Sequence, residues 1–194
     1  MPAPLLRTAT GAEAERCLAV LTLAFGSDPP CRWAWPDPQQ YLEVFPRYAR
    51  ALCGGALAHG TGHYTEGFAG VALWLPPGVE PDKAALNRVF QATVAKERQG
   101  VLFAMAEQIR AFHPREAHWY LPLIGVDPAH QGKGIGSVLL RQGLSACDAQ
   151  KLPAYLQATS PRNVRFYERH GFEALGRIQV GDAAPVVPMW RNPK

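Results

Sequence analysis

What most constrains this chain is one stretch, Leu121-Pro-Leu-Ile-Gly-Val-Asp-Pro-Ala-His-Gln-Gly-Lys-Gly-Ile-Gly-Ser137. Its first six residues are apolar, the signature of a buried strand. Asp127-Pro128 breaks the run, because proline lacks an N–H and biases the residue before it towards extended geometry. Glycine then recurs at positions 132, 134 and 136, and apolar residues return at helical spacing from Ser137 onward. Strand, tight loop and helix start follow one another. Glycines without Cβ let backbone N–H groups close on a ligand, and the helix N-terminus adds partial positive charge. The stretch predicts a phosphate cradle.

Two common phosphate patterns fail on this loop. The dinucleotide spacing G-x-G-x-x-G would need glycine where Ser137 stands, and Lys133 lies inside the loop where G-x-x-x-x-G-K-[ST] needs it at the end. Gln131-Gly-Lys-Gly-Ile-Gly136 fits Q/R-x-x-G-x-G/A instead. Alone, such a turn is also what any glycine-rich strand-to-helix junction contains.

A second element agrees with it. Ala154 to Thr159 reads as a strand, and Ser160-Pro161 opens a helix with serine as N-cap and proline at the first helical position. Asn163 and Tyr167 are four apart and share one face of that helix. Gly171 closes it. Strand, crossover helix, strand implies a parallel pair with the strand over about Ala117 to Val126. Pro122 deep in the first of these strands means an edge, a bulge, or two strands parted so that a ligand supplies the missing hydrogen bonds. Gly125 beside it suits a bulge.

Together, Q-x-x-G-x-G and the order N-x-x-x-Y-x-x-x-G-F in Asn163 to Phe172 resemble the GNAT superfamily of N-acyltransferases, most closely puromycin N-acetyltransferase-like proteins. The resemblance covers residues 119–180 strongly and the N-terminal third weakly, through Asp28-Pro29, Trp33 and Pro36-Asp37. It implies an α/β fold with a mixed, mostly antiparallel sheet, splayed central parallel strands and helices on both faces. It also implies acetyl transfer from acetyl-CoA to a primary amine of a small molecule, by direct attack in a ternary complex. On this reading Gln131, Gly132, Lys133, Gly134, Ile135, Gly136 and Ser137 hold the pyrophosphate. Ile124 to Val126 pair with the pantetheine arm as an extra strand, with a main-chain N–H near Val126 polarising the thioester. Asn163 bonds the arm, and Tyr167 donates a proton to the departing thiolate. The alternatives are a non-catalytic acyl-CoA-binding module and a transferase for a longer acyl group.

The rest of the chain bounds the partners. At 194 residues it reads as one domain, residues 1–115 lining the acceptor and 116–180 forming the acetyl-CoA core. Twenty Lys+Arg against 16 Asp+Glu leave +4, with no basic tract, so no nucleic acid is expected. Four scattered cysteines without a C-x-x-C pair, and His59 and His63 flanked by glycines, point to reduced thiols and no metal. No signal peptide is legible at Met1–Arg7 and no apolar run approaches ~18 residues, so the expected setting is cytoplasmic, with no membrane partner, as a monomer or homodimer.

Other elements are expected as follows: helices over 12–25 and 39–52, the second kinked or split at Pro46; an irregular loop over 31–38 carrying Trp33 and Trp35; strands over 60–64 and 67–75; helices over 82–111 broken or bent at Gly100; and a final antiparallel pair, 172–180 and 185–191. The tryptophan loop and second helix serve either as core or as an acceptor pocket for an apolar or aromatic body. Candidates for a general base are Glu43, Glu107, His118 and Tyr120. Arg162, Arg165 and Arg169 form a basic stripe, read as a solvated face, with contact to the nucleotide phosphate of CoA as the alternative.

Overall fold

The structure, a computed structural model, describes residues 4–194; Met1 to Ala3, part of the stretch read for a signal peptide, lie outside it. In chain order the elements are β1 (Leu6–Ala9), a 3₁₀ turn (Gly11–Glu13), α1 (Ala14–Ala24), α2 (Pro29–Ala34), α3 (Pro38–Ala58), β2 (Gly62–Thr65), β3 (Gly70–Leu75), α4 (Lys83–Thr93) and α5 (Lys96–Phe112). They continue with β4 (Trp119–Val126), a 3₁₀ turn (Pro128–His130), α6 (Ile135–Ala149), β5 (Ala154–Ala158), α7 (Pro161–Glu168), β6 (Glu173–Ala174) and β7 (Val187–Arg191). The strands form one sheet in the order β1-β2-β3-β4-β5-β7-β6. Every neighbouring pair is antiparallel except β4 with β5. This is the mixed, mostly antiparallel α/β architecture expected.

Period-2 alternation divides the core. Val71, Leu73 and Leu75 of β3 pack with α1 and α3, whereas Ala72 and Trp74 pack with α6. With both faces covered, β3 is buried throughout, which is why it reads as an unbroken apolar run. Gly143 of α6 makes the second layer fit, since a Cβ there would lie 2.1 Å from the Trp74 indole nitrogen.

One device starts three helices: an N-cap oxygen followed by proline. Asp28, Asp37 and Ser160 accept hydrogen bonds from the N–H groups of Cys31, Gln40 and Asn163, ahead of Pro29, Pro38 and Pro161.

Several expectations are corrected. The stretch over 31–38 is not wholly irregular, because Asp28 caps a short helix that contains Trp33. Pro46 does not break α3, which runs on to Ala58; burial of Tyr41, Val44, Phe45 and Ala49 outweighs the ~3 kcal/mol cost of an interior proline. The non-helical residue is Cys53, just before Gly54-Gly55. Gly100 lies inside α5, and the break falls at Val94-Ala95. Side chains from elsewhere fix it there: Trp35 Nε1 donates to Thr93 Oγ1 at 3.0 Å, Gln40 Nε2 to the Thr93 carbonyl at 2.9 Å, and Gln99 Nε2 to the Val94 carbonyl at 2.9 Å.

Gly125 is not a bulge residue. A Cβ there would meet Ala24 Cβ at 2.6 Å, so it is glycine because α1 crosses β4 closely. The final pair is shorter than expected. Only Glu173–Ala174 and an Ile178–Val186 bridge join β7 and its approach, and the intervening segment packs Ile178, Ala183 and Val186 on Met105 of α5. Among the described residues no helix is long and apolar enough to cross a membrane.

Candidate functional site

The site begins where two parallel strands part. β4 and β5 pair only from Trp119↔Ala154 to Leu121↔Leu156. Beyond that, β4 follows β3 to Val126 and β5 follows β7 to Ala158. Pro122 stands at the fork, where its missing N–H forfeits no bond to β5, and the β3 register shifts by one residue opposite it. The backbone edge of residues 122–126 is therefore free to receive an extended ligand. Ile124 lies on that edge within a cavity, and Val126 ends it half-buried.

The glycine loop continues from Val126. Gln131 Nε2 donates to the Val126 carbonyl at 3.3 Å, stapling loop to strand. Gly132 and Gly134 have φ of +77° and +79°, a left-handed geometry that disfavours any side chain. Gly134 is the N-cap of α6 and offers no side-chain oxygen to the first turn. Among the described residues, the N–H groups of residues 132–137 have no protein acceptor; the first to find one is Val138, bonding the Gly134 carbonyl. Six successive donors at a helix N-terminus fit a polyphosphate anion.

The flanking side chains do less. Lys133 is exposed and its Nζ donates to the Ala129 carbonyl at 3.2 Å. Ile135 points into the core, and a Cβ at Gly136 would pack in ordinary contact with Phe166. Ser137 Oγ sits 3.1 Å from His170 Nε2, fastening the start of α6 to the end of α7.

α7 faces the fork. Asn163 Nδ2 donates to Thr159 Oγ1 at 3.4 Å, and one turn on, Tyr167 lines the same cavity. Tyr167 is 7% exposed, yet its hydroxyl bonds no protein group among the described residues. Burial, and secondarily the charge of Asp28, push the phenol above its ordinary range, so it stays protonated throughout physiological pH.

That cavity, about 200 Å³, joins the fork to the N-terminal half. Its deeper wall is aromatic: Trp35 stacks on Phe90, and Tyr48 meets the first edge-on and the second tilted, with ring centroids 5.4–6.1 Å apart. Trp33 and Trp35 thus line the cavity, while Tyr41 and Phe45 belong to the core. At the polar end stands a residue that sequence reasoning missed, Asp28. It is 9% exposed, and burial raises its carboxyl above the usual range, with Thr159 and the Cys31 N–H offsetting part of the effect. The N-cap signature Asp-Pro was visible in the sequence; its meeting with Thr159 and Tyr167 was not. Cys31 also lines the cavity, but burial and the adjacent Asp28 push its thiol well up, which keeps it un-ionised.

The expected base candidates fare differently. Glu43 and Glu107 are exposed, and Glu107 is paired with Arg110. His118 lies 3.2 Å from His113, whose imidazole is pushed down to about 4 by burial and by His118, and neither lines the cavity. Tyr120 does line it, donating to Gln157 Oε1 at 3.3 Å, but burial raises its phenol far from a base's range. Arg162, Arg165 and Arg169 are exposed.

Against known proteins, residues 77–192 match the family model of the acetyltransferase (GNAT) domain. An uncharacterised N-acetyltransferase of Schizosaccharomyces pombe is 26% identical over 197 residues, spanning 93% of this chain and 80% of its own length. A Corynebacterium glutamicum protein solved as "histone acetyltransferase HPA2 and related acetyltransferase" is 29% identical, with a TM-score of 0.70 over 100% of this chain and 98% of that one. Arylalkylamine N-acetyltransferase 2 of Aedes aegypti shares the fold at 14% identity, with a TM-score of 0.63 over 98% of this chain and 99% of its own.

Proposed function

The chain belongs to the GNAT acetyltransferase family, and on that premise we propose that it transfers the acetyl group of acetyl-CoA to a primary amine of a small molecule by direct attack in a ternary complex. The observation that carries the proposal is the unbonded Tyr167 hydroxyl in the cavity at the Pro122 fork, together with the open donors of residues 132–137. The two groups stand on the elements that follow the two parted strands, the amide donors after β4 and the phenol on α7 after β5.

Acetyl-CoA supplies the activated acetyl thioester, whose C–S bond breaks as the N–C bond forms. The chain's own residues hold and protonate. Backbone N–H groups of residues 132–137 grip the diphosphate, and the free edge of residues 122–126, with Ile124 and Val126, aligns the pantetheine arm. Asn163 bonds that arm from α7, and an N–H near Val126 faces the carbonyl oxygen. Tyr167 gives its proton to the leaving sulfur; the raised phenol is always protonated and so available as donor, and the uphill transfer to a thiolate whose acid lies near ~8.5 is drawn forward by the proton that the new amide nitrogen releases. The proton lost by the new amide nitrogen restores the phenol.

The test is CoA release from acetyl-CoA with a panel of amines. Release that requires an amine supports the reading. Tight coenzyme binding with no release from any amine would instead identify a binding module.

A further inference from the structure

Resting on that reading, we infer that the acceptor is a monoamine with a single aromatic ring, whose ammonium is received by Asp28. Three observations meet here. The first is charge. Among the described residues, Asp28 is the one ionisable carboxylate on the cavity wall, and no lysine, arginine or histidine lines it. A polyamine would bury a second cation without a partner, and an amino acid would bury its carboxylate opposite Asp28, each at a prohibitive desolvation cost. A free amine carrying one cation and no anion matches the wall.

The second is shape. About 200 Å³ is below the ~300–1,000 Å³ of pockets that take drug-sized ligands, which favours a small acceptor body over an aminonucleoside antibiotic. The third is the chemistry of the deeper end. Trp33, Trp35, Tyr48, Phe90, Leu102 and Met105 present ring faces, ring edges and a thioether, the surfaces that a flat ring stacks on. A linear alkyl chain would leave the faces poorly filled.

The polar groups then have defined work. The ammonium enters beside Asp28, its N–H bond breaks and the proton passes to the carboxylate, leaving a neutral amine facing Tyr167 and the fork. Burial has already raised the carboxyl's proton affinity, which narrows its gap to the amine. Thr159, tied to Asn163, holds Asp28 from the side of β5. The groups facing Asp28 are Cys31, Thr159 and Tyr167, with Tyr41 and Tyr48 feeling its charge; burial raises the Tyr41, Tyr48, Cys31 and Tyr167 groups, so none ionises in the working range.

The experiment measures acetyl transfer by the full chain to 2-phenylethylamine, phenylalanine, spermidine, a capped lysine peptide and puromycin. The expected result is a kcat/KM for 2-phenylethylamine at least tenfold above each of the others. Faster transfer to any of them overturns the inference while leaving the transferase reading intact. Acetyl-CoA binding with no transfer to any amine overturns both. Asp28→Asn keeps the N-cap and the shape. It should raise KM for 2-phenylethylamine, lower kcat/KM about 10²-fold and abolish the acidic limb of the pH profile, with KM for acetyl-CoA unchanged. Full activity with an unaltered profile removes Asp28 from the role.

Discussion

The two walls of the cleft are built from different materials. On one side, from Val126 through the first turn of α6, the working groups are main-chain amides exposed by glycines at positive φ. On the other, from Asp28 to Met105, they are side chains gathered from α2, α3, α4 and α5. A backbone site needs only local sequence, because loop, glycine and helix start are consecutive. A side-chain site needs distant residues to meet, and no local spacing announces it. The amide wall suits a group that never varies, such as a diphosphate, whereas the side-chain wall can be recut for a new acceptor.

Substitutions at each wall should separate accordingly. The largest effect is expected from Gly134→Val, which forces a β-branched side chain into φ +79° at the N-cap of α6. Its acetyl-CoA KM should rise about 100-fold or more through lost donor geometry at the helix start, measured by initial rates at saturating amine. An amine-side defect of equal size with normal coenzyme KM would break the division.

Tyr167→Phe comes next, at the junction of the walls. Turnover should fall about 10²-fold with both KM values within threefold. Full turnover across pH would remove Tyr167 as proton donor.

Smaller and opposite in sign is the stability of Asp28→Asn. Burial raises the Asp28 carboxyl in the folded state, so its contribution favours folding at low pH and is lost as pH rises through the folded value. At pH 7.5 the asparagine variant, which buries no charge, should melt about 1–3 °C above the parent, and the gain should shrink as pH is lowered. A destabilised variant would mean that Asp28 is a structural cap alone. Least of all, Arg165→Ala on the exposed stripe of α7 should change acetyl-CoA KM less than threefold and stability by no more than about 0.5 kcal/mol.

The same contrast explains what could be read in advance. The order of β4, glycine loop, α6, β5 and α7 was legible because each start and stop has local chemistry, such as Ser160-Pro161 and Gly171. The reason for Pro122 was legible as one of three options, and the structure places it at the fork, with the register shift on its other side. Tertiary contacts hid the rest. Thr93 and Val94 end α4 because Trp35, Gln40 and Gln99 bond them. Gly125 is glycine because α1 crosses it, and nothing around Asp28-Pro29 in the sequence announces that Thr159 and Tyr167 come to lie beside it.

The central claim is that the amide wall grips the diphosphate while Tyr167 stands at the sulfur. A crystal structure of the complex with CoA tests it most directly. The account predicts diphosphate oxygens within ~2.7–3.2 Å of N–H groups in residues 132–137, and the thiol between Pro122 and Asn163, beside the Tyr167 hydroxyl. Diphosphate bound elsewhere, or a thiol end remote from Tyr167, would contradict it.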